Sequence, residues 1–248
     1  MYYDNGQTDE GRVYVYCGSS SGLSTVPDWT AEGNQSGAKF GVCVSTAGDI
    51  NGDGYSDVIV GAYLYDSGEI DEGKVYVYFG SSIGLSLTPD WTVESDQADA
   101  RLGCSVGTAG DVNGDGYSDV IIGARYYDNG DTDEGGAFVY YGSSSGLSAN
   151  ADWTVESDQE GAYLGYSVST AGDVNGDGYS DVIVGAPEYD NSETDEGKAY
   201  VYYGSSSGLS ATSDWTAESN QASAEFGLYV NTAGDVNGDG YSDLIVGA

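Results

Sequence analysis

The sequence has no histidine, and only 6 basic side chains stand against 41 acidic ones, a formal net charge of −35 over 248 residues. Without histidine there is no histidine-based triad, metal site or acid–base pair. Without a basic footprint the chain would repel phosphate rather than displace its counterions, which excludes nucleic-acid binding. No apolar run approaches the roughly 18 residues that a membrane helix needs, so no membrane insertion is expected. The first residues, Met1-Tyr2-Tyr3-Asp4, carry neither a charged n-region nor an apolar h-region, so no secretory signal is read here. Proline is scarce, at 3 residues. Cysteine also numbers 3 (Cys17, Cys43, Cys104), an odd count that leaves at least one thiol unpaired. Their counterparts in neighbouring repeats are Phe79, Ser105 and Val42, so they read as small buried hydrophobes. Disorder is argued against by 23 Tyr, 4 Trp and many Val and Ile, which supply a core.

What is present is a repeat. Trp29, Trp91, Trp153 and Trp215 recur every 62 residues, as do Asp49, Asp111, Asp173 and Asp235. The chain divides without remainder into units 1–62, 63–124, 125–186 and 187–248. Each unit reads as four short strands. In the first whole copy these are Phe40–Val44, Asp57–Ala62, Val75–Tyr78 and Asp90–Val93. Helical periodicity is missing, and β-branched and aromatic residues dominate the runs, so the fold class is all-β. Along Val75-Tyr76-Val77-Tyr78 both faces are apolar or aromatic, because side chains alternate on a strand. A sheet covered on two sides lies between two other layers. Four-stranded antiparallel units stacked in this way describe the blades of a β-propeller. Blade boundaries are offset from unit boundaries: about 38–97, 100–159 and 162–221 form whole blades. The fourth is split between Phe226–Ala248 at one end and Arg12–Cys17 with the segment around Trp29 at the other. Closure across that seam would remove two exposed edges.

The loop after the first strand carries the chemistry. Asp49-Ile50-Asn51-Gly52-Asp53-Gly54-Tyr55-Ser56-Asp57 returns three times with only Ile50 replaced, by Val. Its spacing fits a hard cation that needs six or more oxygens. Side-chain ligands are expected from Asp49, Asn51, Asp53 and Asp57, with the Tyr55 carbonyl at position seven. The same roles fall on Asp111, Asn113, Asp115, Tyr117 and Asp119. They recur on Asp173, Asn175, Asp177, Tyr179 and Asp181, and on Asp235, Asn237, Asp239, Tyr241 and Asp243. Asp, Asn and Gly also form plain turns, but three carboxylates in nine residues repel one another unless a cation joins them. The all-oxygen set favours Ca²⁺, about one per repeat, over Mg²⁺ and zinc. Val60 at position twelve and flanking strands exclude an EF-hand.

Phe40-Gly41, the nonapeptide and the closing Val184-Gly185-Ala186-Pro187 resemble the FG-GAP repeats of integrin α-subunit propellers and bacterial surface proteins. The resemblance covers all four units. It implies a propeller with calcium loops on the rim of one face, an extracellular or cell-surface location, and a role in adhesion or recognition of a protein or glycan. Family propellers typically have seven blades, whereas this sequence supplies four, and proline follows Gly-Ala only at Pro187.

A second acidic loop, Asp66–Gly73 and its counterparts Asp4–Gly11, Asp128–Gly135 and Asp190–Gly197, reads as a solvated hairpin, with cation binding the alternative. The tryptophans read as blade packing rather than a glycan-stacking platform, because one per unit at fixed phase is what a repeated core produces. Nothing marks an enzyme, since repetition gives every blade the same residues while an active site needs a unique constellation. The non-catalytic reading therefore stands beside one alternative: a structural block whose split blade is completed between chains, as a ring dimer or fibre.

Overall fold

In a computed structural model, which describes residues 3–248, the valine- and tyrosine-rich runs form strands and no helix is present among the described residues. Three sheets are four-stranded, antiparallel and ordered as in the sequence. The first holds Cys43–Gly48, Asp57–Ala62, Lys74–Tyr78 and Trp91–Glu94. The second holds Leu102–Gly110, Asp119–Ala124, Gly136–Tyr140 and Trp153–Glu156. The third holds Ser167–Gly172, Asp181–Ala186, Lys198–Tyr202 and Trp215–Glu218. First strands of successive sheets lie side by side, so the sheets are arranged as propeller blades.

The two-faced strands are buried on both sides. Every residue of Asp119–Ala124 and of Asp181–Ala186 is buried. Ile59, Val75 and Val77 of one sheet share a core with Val120, Ile122 and Ala124 of the next. The tryptophans bind blade to blade. Trp29 Nε1 donates to the Ser86 carbonyl at 2.9 Å, Trp91 to Ser148 at 3.0 Å and Trp153 to Ser210 at 2.9 Å. Each indole also meets a tyrosine of the following sheet edge to face, as Trp29 does Tyr78 at 4.8 Å between centroids. Trp215, last of the series, is exposed.

Two details depart from the sequence reading. Phe-Gly does not open the first strand except at Leu102-Gly103. Gly41, Gly103, Gly165 and Gly227 all have positive φ, of 81°, 84°, 82° and 94°; at Gly103 the strand runs on through a register shift, whereas the other first strands begin only at Cys43, Ser167 and Tyr229. Cys17 is exposed rather than buried, whereas Cys43 and Cys104 are partly buried.

The sheets do not close into a ring. Arg12–Val15 pairs only with Trp29–Glu32, and Tyr229–Gly234 only with Asp243–Gly247. Among the described residues no ladder crosses the seam. The same inter-blade packing is repeated along the chain, and its steps leave the two half-sheets apart. A short hairpin, Gly18–Ser19 with Gly22–Leu23, precedes Trp29.

The glycines of the Phe-Gly and Gly-Ala phrases set the distance between blades. A Cβ on Gly61, Gly123 or Gly185 would lie 2.1, 1.9 or 2.0 Å from the carbonyl oxygen of Gly103, Gly165 or Gly227 in the next blade. Gly123→Ala must therefore push two backbones apart. It should cost about 1–3 kcal/mol or more and lower the melting temperature by about 3–10 °C. Gly68→Ala, with nothing within 4 Å of the new carbon, should melt as the parent does. Equal melting of Gly123→Ala and the parent by calorimetry would contradict the close approach.

Candidate metal-binding loops

Each nonapeptide leaves the first strand and returns at the aspartate that begins the second. Its shape is drawn by its own carboxylates. Asp111 Oδ1 accepts the amides of Gly114 at 2.7 Å and Asp115 at 3.1 Å, and its Oδ2 accepts that of Gly116 at 2.9 Å. Asn113 Oδ1 accepts from Asp115 at 2.9 Å, and Asp115 Oδ1 from Tyr117 at 3.0 Å. Asp49, Asp173 and Asp235 head their own loops with a corresponding fan of amides. Asn51–Asp53, Asn175–Asp177 and Asn237–Asp239 repeat the inner bonds, which reach the Tyr55, Tyr179 and Tyr241 amides. The fourth and sixth positions need the left-handed region: Gly114 and Gly116 have φ of 75° and 91°.

The ninth residue has a different setting from the rest. Asp57, Asp119 and Asp181 are fully buried. Asp119 Oδ2 accepts the Val112 amide and Oδ1 the Gly142 amide, both at 2.9 Å. Asp57 binds Ile50 and Gly80, and Asp181 binds Val174 and Gly204, in the same manner. Asp243 keeps its bond to the Val236 amide but is only partly buried. Burial pushes Asp119 up to about 7 and Asp181 up to about 6. Backbone hydrogen bonds partly counter this, and the charges of the fifth and first aspartates add to it. Asp57 is raised for the same reasons. Asp235, in the open, is lowered by its backbone hydrogen bonds.

Oxygens of positions one, three and five thus turn onto the loop's own amides, while position nine is buried and anchors the loop to amides outside its tip. The three aspartates of one loop do not gather within 4.8 Å of one another; among the described residues only Glu72, Glu94 and Asp96 do so. None of the ion pairs among the described residues involves a nonapeptide carboxylate. The donor set is therefore all oxygen, anionic and without a protein countercharge, which fits a hard cation.

Two loop residues have roles that their place in the nonapeptide does not announce. The Tyr117 ring lies against Gly52 of the preceding loop, where a Cβ would sit 2.7 Å from its Cε1. Tyr179 covers Gly114, and Tyr241 covers Gly176, in the same way. Ser118 ties the loops together: its amide donates to the Asp49 carbonyl at 3.0 Å, and its Oγ accepts the Asp49 amide at 3.1 Å. Ser180 grips Asp111 likewise, and the Ser242 amide donates to Asp173. The signal available in the sequence was the invariance of Tyr and Ser at these positions in all four loops.

The second acidic loop closes on itself around a buried glutamate. Glu10, Glu72, Glu134 and Glu196 are at most 1% exposed. Their Oε1 atoms accept loop amides, as from Asn129 to Glu134 at 2.6 Å and from Ser192 to Glu196 at 3.0 Å.

FG-GAP repeats are matched at residues 44–78, 105–140, 164–202 and 229–248, together more than half of the chain. The chain belongs to the FG-GAP repeat family. It is similar to Integrin alpha-4 of Xenopus laevis, 34% identical over 184 residues, which are 73% of this chain and 17% of that protein. Integrin alpha-PS3 of Drosophila melanogaster is 35% identical over 186 residues, 71% of this chain and 16% of that protein. Integrin alpha-IIb of Mus musculus is 34% identical over 161 residues, 62% and 15% respectively. The chain thus spans about a sixth of the length of these relatives. No helix among the described residues is long and apolar enough to cross a membrane.

The raised ninth aspartates give a pH dependence. With rising pH the folded chain holds protons there that the unfolded chain, with ordinary aspartates, has already released above about pH 4. In metal-free protein their contribution to stability is therefore unfavourable at pH 7.5 and is relieved as pH falls through about 7 for Asp119 and about 6 for Asp181. Carboxyl NMR titration in chelator should give midpoints near those values, and melting should rise between pH 7.5 and pH 5. Midpoints near 4 would refute this.

Proposed function

We propose that this chain is a non-catalytic, calcium-binding FG-GAP segment of an extracellular or cell-surface protein, serving adhesion or recognition of a protein or glycan. The observation that carries the reading is the row of four anionic nonapeptide loops, each shaped by its own oxygens. Three inter-blade steps join neighbouring loops through Ser118, Ser180 and Ser242. The shared family with integrin alpha chains supports the adhesive role.

Asp49, Asn51, Asp53, the Tyr55 carbonyl and Asp57, with their counterparts in the other units, would hold the ion, and each ion would neutralise carboxylates that otherwise repel. Extracellular calcium modules bind with Kd of about 10⁻⁴–10⁻³ M. At free calcium about ten times Kd, each site would add about 1.4 kcal/mol. Four sites would then add about 5–6 kcal/mol, comparable to the net stability of many domains. Calcium here acts as a structural component. Four ions would still leave the chain at −27 from its −35, which suits solubility and a cationic partner.

A second reading, as a self-assembling block, draws on the two unpaired half-sheets. Carried over from the intact blade, where Ile59 faces Val77 and Val60 faces Tyr76, the register would set Ile245 opposite Val15 and Val246 opposite Tyr14. Ile245 is 60% exposed and Tyr14 43%, against 0% for Ile59 and 9% for Tyr76. Joining the half-sheets between copies would bury them.

Asp115→Asn keeps an acceptor for the Tyr117 amide but removes a ligand charge. It should lower melting in saturating calcium by about 3–6 °C and leave melting in chelator nearly unchanged; equal shifts in both would refute the ligand role. For assembly, light scattering should report two or more copies of the 248-residue chain, and Ile245→Lys should return it to one. A monomer at high concentration would dismiss the second reading while leaving the first intact.

A further inference from the structure

We propose that Glu72, Glu94 and Asp96 hold one Ca²⁺ in a site separate from the nonapeptide loops and confined to the second unit. One carboxylate oxygen from each residue lies within 4.8 Å of the other two. Glu72 sits at the end of the second acidic loop and is 0% exposed. Its Oε1 is occupied by the amides of Ser67 and Gly68, the latter at 2.9 Å. Its Oε2 is buried and has no hydrogen-bond partner. A buried carboxylate oxygen left in this state carries a large desolvation cost, which a cation would offset.

Glu94 ends the fourth strand and faces Lys74 across the ladder. Lys74 Nζ donates to Glu94 Oε1 at 2.6 Å and lies 4.8 Å from the Tyr65 ring centroid. It is thus held at Glu94, and Glu72 Oε2 remains unpartnered. Asp96 is exposed, beside a segment that Ser95 pins by donating from Oγ to the Glu72 carbonyl at 2.8 Å. Three carboxylates against one ammonium leave a charge of −2, which one divalent ion neutralises. Three anionic oxygen donors with an opening on the Asp96 side suit Ca²⁺, which takes several carboxylates and completes its shell with water. Mg²⁺ usually takes one or two.

The sister units show what is missing here. Asn5 Nδ2 donates to both oxygens of Glu32 at 2.9 Å. Asn129 donates to Glu156 Oε2 at 2.6 Å, and Asn191 to Glu218 Oε2 at 2.8 Å. Those glutamates are the counterparts of Glu94. In the second unit the asparagine is replaced by Ser67, whose side chain is too short to supply that amide. At the Asp96 position two of the three sisters have an uncharged residue, Asn34 and Asn220. The second unit therefore lacks the asparagine amide that joins Lys or Arg at the strand-end glutamate in the first and fourth units, and has gained an acid relative to those two. Glu196 Oε2 in the fourth unit is also buried without a partner, but among the described residues only the second unit brings its acidic oxygens together, and there a cation would join them.

The test counts ions. Native mass spectrometry and calorimetric titration with CaCl₂ would compare the parent chain with Ser67→Asn, which restores the sister amide, and with Glu94→Gln/Asp96→Asn. Both variants should bind one Ca²⁺ fewer per chain than the parent, or bind it at least tenfold more weakly. Melting in chelator should change little for Ser67→Asn, which shows that it folds. An unchanged ion count in both variants, or a parent chain that binds no ion, would overturn the proposal. The count is independent of the nonapeptide reading: if those loops bind nothing, the parent holds one ion and the variants none. If MgCl₂ binds this site at equal affinity, the assignment to calcium is overturned.

Discussion

The architecture depends on how closely neighbouring blades approach at paired glycines. Gly61 meets Gly103, Gly123 meets Gly165 and Gly185 meets Gly227, with no room for a Cβ between. Everything else in the interface is built around that approach. Trp29, Trp91 and Trp153 each reach the next blade's carbonyl, and the second strands of the three four-stranded sheets are buried between their neighbours. The conserved-looking phrases at the start and end of a unit are therefore two halves of one contact. They are distant in sequence because the contact joins successive units.

The same logic places the acidic loops. Brought side by side, they link through a tyrosine ring over a glycine and a serine on an aspartate backbone. Anionic loops that would repel are thus neighbours by construction. Backbone amides satisfy part of their oxygen lone pairs, and the aspartate at the root of each intact loop is buried with a raised pKa. Charge is tolerated at the tip, where solvent or a cation reaches it, and is costly at the root.

Much of this was legible in the residues. The 62-residue period, the two-faced second and third strands and the all-β class follow from spacing and alternation, and Asp119–Ala124 is buried throughout. The loops are legible as oxygen-rich turns. What escaped was set by tertiary contact. Gly41 and Gly165 adopt a positive φ and the strands after them begin only at Cys43 and Ser167, whereas Gly103 takes a similar φ inside its strand. Asp57 is an inner anchor because the Gly80 amide, 23 residues on, comes to it. Glu72 looked like one acid among several in a solvated hairpin, yet it is wholly buried, because the loop folds over it and uses its oxygen as a template. Periodicity also cannot report whether a row of blades meets itself, and here the half-sheets at Arg12–Val15 and Asp243–Gly247 stay apart.

The serine and tyrosine links run in one direction, each unit covering the loop of the unit before it. The last loop has no such cover among the described residues: Gly238 has nothing within 4 Å of a would-be Cβ, and Val236 is 72% exposed where Ile50 and Val112 are at 0%. The array therefore has a polarity. As in other chains whose units stabilise only their neighbours, the cover of each loop comes from the unit that follows it, so a change in one nonapeptide is felt by the loop before it rather than the loop after.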